Sequence, residues 1–356
     1  MNKNIPITLE YKPDFQRARS YWDAFWGHEL IDRPCTSIFV NNSDEAVELD
    51  RCASVDADFE DVFRKADEYF ESHSFLGEAM PGFRCGFGPD QIAGFLGAPL
   101  KMKEVTSWSE KIVDNWQDFL PLGIDENNLY WRRLKEFHTA AEDYYKGKCL
   151  LCDIDMHCNI DALEGLRGAQ NLLFDIIDTP DIIHEAMHQI RNLYTKIYNE
   201  FYQYGDKKIF GTSNNLRLYS SGRYNRIQAD FICLLDPKMF REFVLDAIAE
   251  EAEFVDHSCF HLDGKDALKH LDDILAIETL GAVQWVPGAG QKRQYLWPEV
   301  LHKIQDAGKA IVIDGSDIEE IKQHYKEYKP ELVVFDLKID SEKEGLDFLE
   351  WLEKNT

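Results

Sequence analysis

From about residue 146 onward, short apolar runs of strand type alternate with stretches that carry the spacing of amphipathic helices. "KCLLCDID" (148–155) and "KIFGTSN" (208–214) read as strands, separated by helices over 161–177 and 180–204. A helix over 237–252 opens at Asp236-Pro237, an N-cap followed by proline at the first helical position. "FVDHSCFHLD" (254–263), a helix over 265–276, "GAVQWVP" (281–287) and a helix over 297–307 follow. "KAIVIDG" (309–315), 317–327, "ELVVFDL" (331–337) and 345–354 complete the series. Repeated strand–helix units joined by right-handed crossovers make a parallel sheet. With about seven strands, closure into an α/β (β/α)8 TIM barrel is favoured over an open doubly wound sheet. No GxGxxG follows any strand, so a dinucleotide fold lacks its main support.

The earlier part of the chain has helical spacing over 13–28 and 58–75 and one strand, "CTSIFVN" (35–41). Residues 1–34 read as an N-terminal helical extension. Residues 78–130 are aromatic and rich in glycine and proline, and read as an irregular loop region with one short helix. Long irregular segments of this kind often wall an active site. There is no low-complexity linker, so 1–356 is taken as a single domain.

The chain contains no apolar run long enough to span a membrane and begins without the apolar stretch of a signal peptide, so a cytoplasmic location is expected. A net charge of −26 repels nucleic acid and anionic membranes, and neither is expected as a partner. The eight cysteines lack the spacing of a disulfide scaffold. Cys149 and Cys152 are three apart in a strand-like run and point to opposite faces, which suits burial and not a shared metal.

The segment 254–263 concentrates polar chemistry. Side-chain alternation puts Val255, His257, Cys259, His261 and Asp263 on one face, and Phe254, Asp256, Ser258, Phe260 and Leu262 on the other. Phe260 and Leu262 suit contact with helices, so the histidine face points inward. Gly264 ends the strand and leaves His261 and Asp263 at its C-terminal end, where barrel enzymes hold their chemistry. Residues i and i+2 lie about 6.6 Å apart along a strand. His261 and Asp263 can therefore converge on one atom, as metal ligands or as an acid–base pair in which Asp263 orients His261.

Asp155 and His157 repeat that i, i+2 relation. Asp161 reads as a helix cap and Arg167 as a surface pair. "NNLRLYSSGRYNRIQADF" (214–231) gathers Arg217, Arg223 and Arg226 with Tyr219 and Tyr224, a local anion site in an acidic chain. Gln228 and Asp230 add hydrogen-bonding capacity. In "AVQWVPGAG", Gln284 would fix a substrate while Trp285 supplies an apolar wall. Asp314 is a weaker candidate, and Lys309 lies at the wrong end of its strand.

"FGPDQIAGFLGAPL", "DIDMHCNIDALEGLRG", "SSGRYNRIQADFICLLDPKMFREFVL", "CFHLDGKDALKHLDDILAI" and "AVQWVPGAG" together resemble the uroporphyrinogen decarboxylase superfamily. They are most similar to its uroporphyrinogen decarboxylase-like branch, related to corrinoid-dependent methyltransferases. The resemblance covers most of the chain and implies a (β/α)8 barrel with its site at the strand C-terminal ends. The arginine-rich N-terminal motif of the decarboxylases is absent; "SYWDAFWGHELIDRP" resembles it only in position. In the methyltransferases, a His-x-Cys pair and a later cysteine hold zinc. His261 matches the histidine, Asp263 replaces the first cysteine, and no cysteine follows Cys259. A His/Asp site is harder and more oxygen-rich than a thiolate site. The resemblance thus implies zinc or another divalent metal on His261 and Asp263, with His157 or Asp155 as third ligand. It also implies methyl transfer between a small molecule and a corrinoid carrier or thiol acceptor. The partners considered are a small anionic or methylated substrate, a corrinoid protein and a second copy of the chain. The alternatives are decarboxylation, with Asp155 or Asp263 stabilising a protonated intermediate, and a non-catalytic barrel that binds a corrinoid protein.

Overall fold

The computed structural model describes residues 7–43, 48–49, 54–103, 106–315 and 317–356. The strand expected at 35–41 forms as Cys35–Asn41 and joins a seven-stranded sheet. The spatial order is His73–Gly77, Cys35–Asn41, Val333–Ile339, Ala310–Gly315, Ala282–Val286, His257–Asp263 and Tyr224–Gln228. All neighbours pair in parallel except the first two, which run antiparallel.

This corrects the expected fold: the sheet is mixed and seven-stranded, not a closed eight-stranded parallel barrel. The antiparallel edge has a local cause. Helix Phe59–Ser72 runs straight into strand His73–Gly77, and the Asn42 N–H donates to the Ser72 carbonyl at 2.8 Å. The new strand therefore starts beside the end of Cys35–Asn41 and can only run back along it. Two expected strands shrink. Of 148–155 only Leu150–Leu151 is strand, paired with Gly82–Phe83. Of 208–214 only Thr212–Ser213 is strand, paired with Tyr219–Ser220, because Lys207–Phe210 turns as helix and Gly211 adopts φ 78°. Polar side chains divert this region from a ladder: Lys207 Nζ donates to Asp153 Oδ1 at 2.6 Å, both residues being buried.

Other elements differ in detail. Helix Leu129–Tyr145, almost all of it beyond the irregular region read over 78–130, and strand Tyr224–Gln228 lie where no element was expected. Region 78–130 holds two short helices, Gln91–Phe95 and Trp116–Phe119, where one was expected. The helix read over 161–177 divides at Gly168 into Ile160–Arg167 and Ala169–Asp178. The Asp236 cap forms as expected, its carboxylate accepting from the backbone N–H groups of Lys238 and Met239.

One face of the sheet, with Phe260, Leu262, Val283, Ile311 and Phe335, packs against the helices. The other face is apolar toward the strand N-termini, where Cys259, Ala282, Ala310, Val312 and Val334 meet helix Phe15–Trp26. That helix plugs the lower end. Trp26 stacks on His257 with centroids 4.7 Å apart, and its indole N–H donates to the Tyr219 carbonyl at 2.7 Å. Arg33 and Glu78, both fully buried, form a two-pronged pair at 2.6 and 3.0 Å, and Glu78 also accepts the Thr36 N–H. Toward the upper end this face carries Arg226, Gln228, His261, Gln284, Asp314 and Asp336. Among the described residues, no helix is long and apolar enough to cross a membrane.

Candidate active site

Above the apolar floor lies a cavity of about 620 Å³, within the range of small-molecule sites. Strand alternation explains much of its lining. In register, Gln228, His261 and Gln284 stand side by side, as do Asp314 and Asp336 on the next two strands. Arg226 and Lys338 sit two residues from Gln228 and Asp336, on the same faces. The coil after Leu150–Leu151 contributes Asp155 and His157, and the turn before Tyr219–Ser220 contributes Asn215 and Arg217.

A hydrogen-bond chain orients the central histidine. Asp314 accepts the Gln284 amide through Oδ2 at 3.1 Å, and the Gln294 amide through Oδ1 at 2.7 Å. A carboxylate only accepts, so Gln284 turns its Nε2 toward Asp314 and its Oε1 toward His261. His261 Nδ1 lies 2.6 Å from that oxygen and therefore carries the proton. Its Nε2 is left with a lone pair. Burial and the charge of Arg226 push the His261 imidazole down to about 4, so it is neutral at neutral pH.

A second network surrounds Asp155. Arg226 Nη2 donates to Asp155 Oδ1 at 3.1 Å, and Asn215 Nδ2 to Oδ2 at 2.9 Å. His157 lies between carboxylates, 3.4 Å from Asp155 and 3.5 Å from Asp161. Burial works to raise the Asp155 carboxyl, but Arg226 and His157 outweigh it and hold it below the usual range. Burial works to lower His157, but Asp155 and Asp161 outweigh it and raise the imidazole. The fold thus shifts the two histidines of the cavity in opposite directions.

Asp230, Asp263 and His261 each bring one ligand atom to a common spot, all within 4.8 Å of one another. A second set, His157, Asp161 and Asp230, does the same. Asp230 is pushed up to about 6 by burial and by the neighbouring Asp161, with Asp263 adding to the effect. Asp161 also caps the turn Asp230–Leu234, accepting from the N–H groups of Asp230 and Phe231.

The cavity brings together His261, Asp155, His157, Arg217, Gln228 and Gln284. Asp263 stays exposed at the strand end but reaches the His261 cluster. The carboxylate that joins His261 and Asp263 is Asp230, not Asp155 or His157, which had been expected as third ligand. Three candidates lie elsewhere. Tyr219 is buried in the lower cluster against Phe15 and Trp22. Arg223 packs its guanidinium over Tyr202 and Phe254. Trp285 is 1% exposed on the helix face of its strand, edge-on to Trp297; its odd offset from Gln284 sends it away from the cavity.

No protein-family model matches the chain, and no curated protein matches it.

Asp336, Arg84 and Lys338 line the cavity without having been picked from the sequence. Asp336 and Lys338 left a signal, since a carboxylate and an amine alternate with apolar residues in "VVFDLKI". Arg84 lies in the irregular region and left none.

Proposed function

We propose that this protein is an enzyme that transfers a methyl group between an oxygen of a small substrate and a corrinoid carrier supplied by a partner protein. The observation that carries the reading is the convergence of Asp230, His261 and Asp263 within 4.8 Å. One imidazole and two carboxylates form a hard donor set that fits a divalent cation such as zinc or manganese. Such a cation, held by these three residues, would polarise a substrate oxygen. The same donors suit oxygen better than a thiolate, which favours an oxygen-bearing substrate over a thiol acceptor.

The chain's own groups have distinct tasks. Gln284 and Asp314 hold His261 with its Nε2 lone pair available. Asp230 and Asp263 would hold such a cation as ionised carboxylates, so neither carries a proton while it is bound. Arg226 keeps Asp155 ionised beside the reacting centre.

The test is spectroscopic demethylation or formation of methylcobalamin with methoxylated and hydroxylated small acids, alongside elemental analysis. Wild type should turn over and hold stoichiometric metal, and His261→Ala and Asp230→Ala should lose both. Absence of any methyl transfer by wild type would reject the reaction. Equal metal content in all three proteins would retire the ligand assignment. The buried, ionised Asp155 favours decarboxylation as a second reading, since it could stabilise a protonated intermediate. Carbon dioxide release from a porphyrinogen would establish that reading instead.

A further inference from the structure

Three cationic side chains line one side of the cavity in a chain of net charge −26. Arg217 is the best defined. Its Nη2 donates to Asp336 Oδ2 at 2.6 Å, and its guanidinium lies 4.6 Å over the Phe39 ring. Its Nη1 is buried without a hydrogen-bond partner. A buried donor left unmade is costly, and a guanidinium fork with one arm used presents the other to an oxyanion. Arg217 also adopts φ 63°, a left-handed conformation uncommon for non-glycine residues.

Lys338 stands beside Phe39 in the sheet register and two residues from Asp336 on the same face. Burial, Arg217 and Arg84 each push its ammonium down, so the three charges repel one another. Two carboxylates act on Lys338 in the other direction. Asp336 is engaged by Arg217, and Glu48, 3.8 Å from Lys338, is 77% exposed and therefore a weak partner. An incoming oxyanion would meet the open arm of Arg217 and the charge of Lys338 together.

We propose that Arg217 and Lys338, with Arg84 beside them, form a receiving site for a terminal oxyanion of the substrate, a carboxylate or a phosphate. This rests on the reading of the cavity as a substrate site and narrows the substrate to a small acid. Lys338 and His261 are separated by two intervening strands, hence by three inter-strand steps. At about 4.8 Å per step, these three steps alone span roughly 14 Å across the sheet. The substrate is thus a two-ended molecule, anchored by its charge at one end and presented to His261 at the other.

Titration calorimetry of the full chain with inorganic phosphate and with succinate tests this. Wild type should bind at least one of them, and the tighter of the two identifies the headgroup. Arg217→Met and Lys338→Met should each weaken that binding about tenfold, as loss of one charge-assisted contact does. Arg217→Lys should recover part of it, and His261→Ala should leave it intact. If the left-handed backbone prevents Arg217→Met from folding, Lys338→Met decides the matter. No binding by wild type overturns the proposal, as does binding that survives both methionine variants or vanishes in His261→Ala. Anion binding without methyl transfer would sink the reaction reading alone.

Discussion

Gln284 Oε1 lies 2.6 Å from His261 Nδ1, and its amide nitrogen is held by Asp314 at 3.1 Å. The glutamine can accept from the imidazole only because the carboxylate beyond it dictates which way the amide turns. Gln284→Leu removes that support without touching the Nε2 face. Loss of an outer partner of a ligating histidine typically costs about 10- to 100-fold in metal affinity or activity. Metal titration and turnover of the variant should show a loss in that range, and nitrogen NMR should show His261 as a mixture of tautomers.

The charge state of His261 makes a prediction about pH. Its ordinary value is near 6.5, and the fold depresses it to about 4. The unfolded chain therefore binds more protons between those values, so this group's contribution to stability is complete above about 6.5 and is lost as pH falls toward 4. Asp230 acts in the opposite sense. Its carboxyl, raised to about 6, contributes stability below the ordinary carboxylate range that is lost as pH rises through 6. Urea titrations from pH 4 to 7 should give a flatter profile for His261→Gln on the acid side. Asp230→Asn should instead be relatively more stable than wild type toward pH 7.

Glu78 is expected to hold the edge of the sheet. It pairs with Arg33, with both side chains fully buried, and accepts the Thr36 N–H at 2.8 Å. Glu78→Ala leaves an uncompensated buried guanidinium and should cost about 3–5 kcal/mol, read as a lowered urea midpoint.

Trp26 is expected to seal the floor. It stacks on His257, and burial pushes that imidazole down. Trp26→Ala should destabilise by about 3–5 kcal/mol. By admitting water, it should also move the His257 titration up toward 6.5, which proton NMR can follow.

The faces of individual strands were legible before any coordinates. Phe260 and Leu262 meet the helices while Cys259 and His261 face the other way, as alternation requires. Trp285 shows what neglect of the same rule costs: alternation turns it away from Gln284, yet it was expected to wall the pocket that Gln284 faces. The strand Tyr224–Gln228 was obscured because polar Asn225, Arg226 and Gln228 hide its period in a stretch that otherwise resembles a loop. Asp230 could not be ranked against Asp155 from sequence, because its distance to His261 depends on how the turn Asp230–Leu234 sits against Asp161.

By itself, the amino-acid order determined the succession of strands and helices after Asp236, the inward face of 257–263 and the Asp236 cap, because these depend on neighbours a few positions away. Only the tertiary structure decided that the sheet has seven strands with one antiparallel edge, that Arg217 leans on Asp336 and that Asp230 completes the cluster with His261 and Asp263. Those outcomes turn on hydrogen bonds and charge pairs between residues far apart in the chain. Local periodicity carries no record of which distant partner will be met.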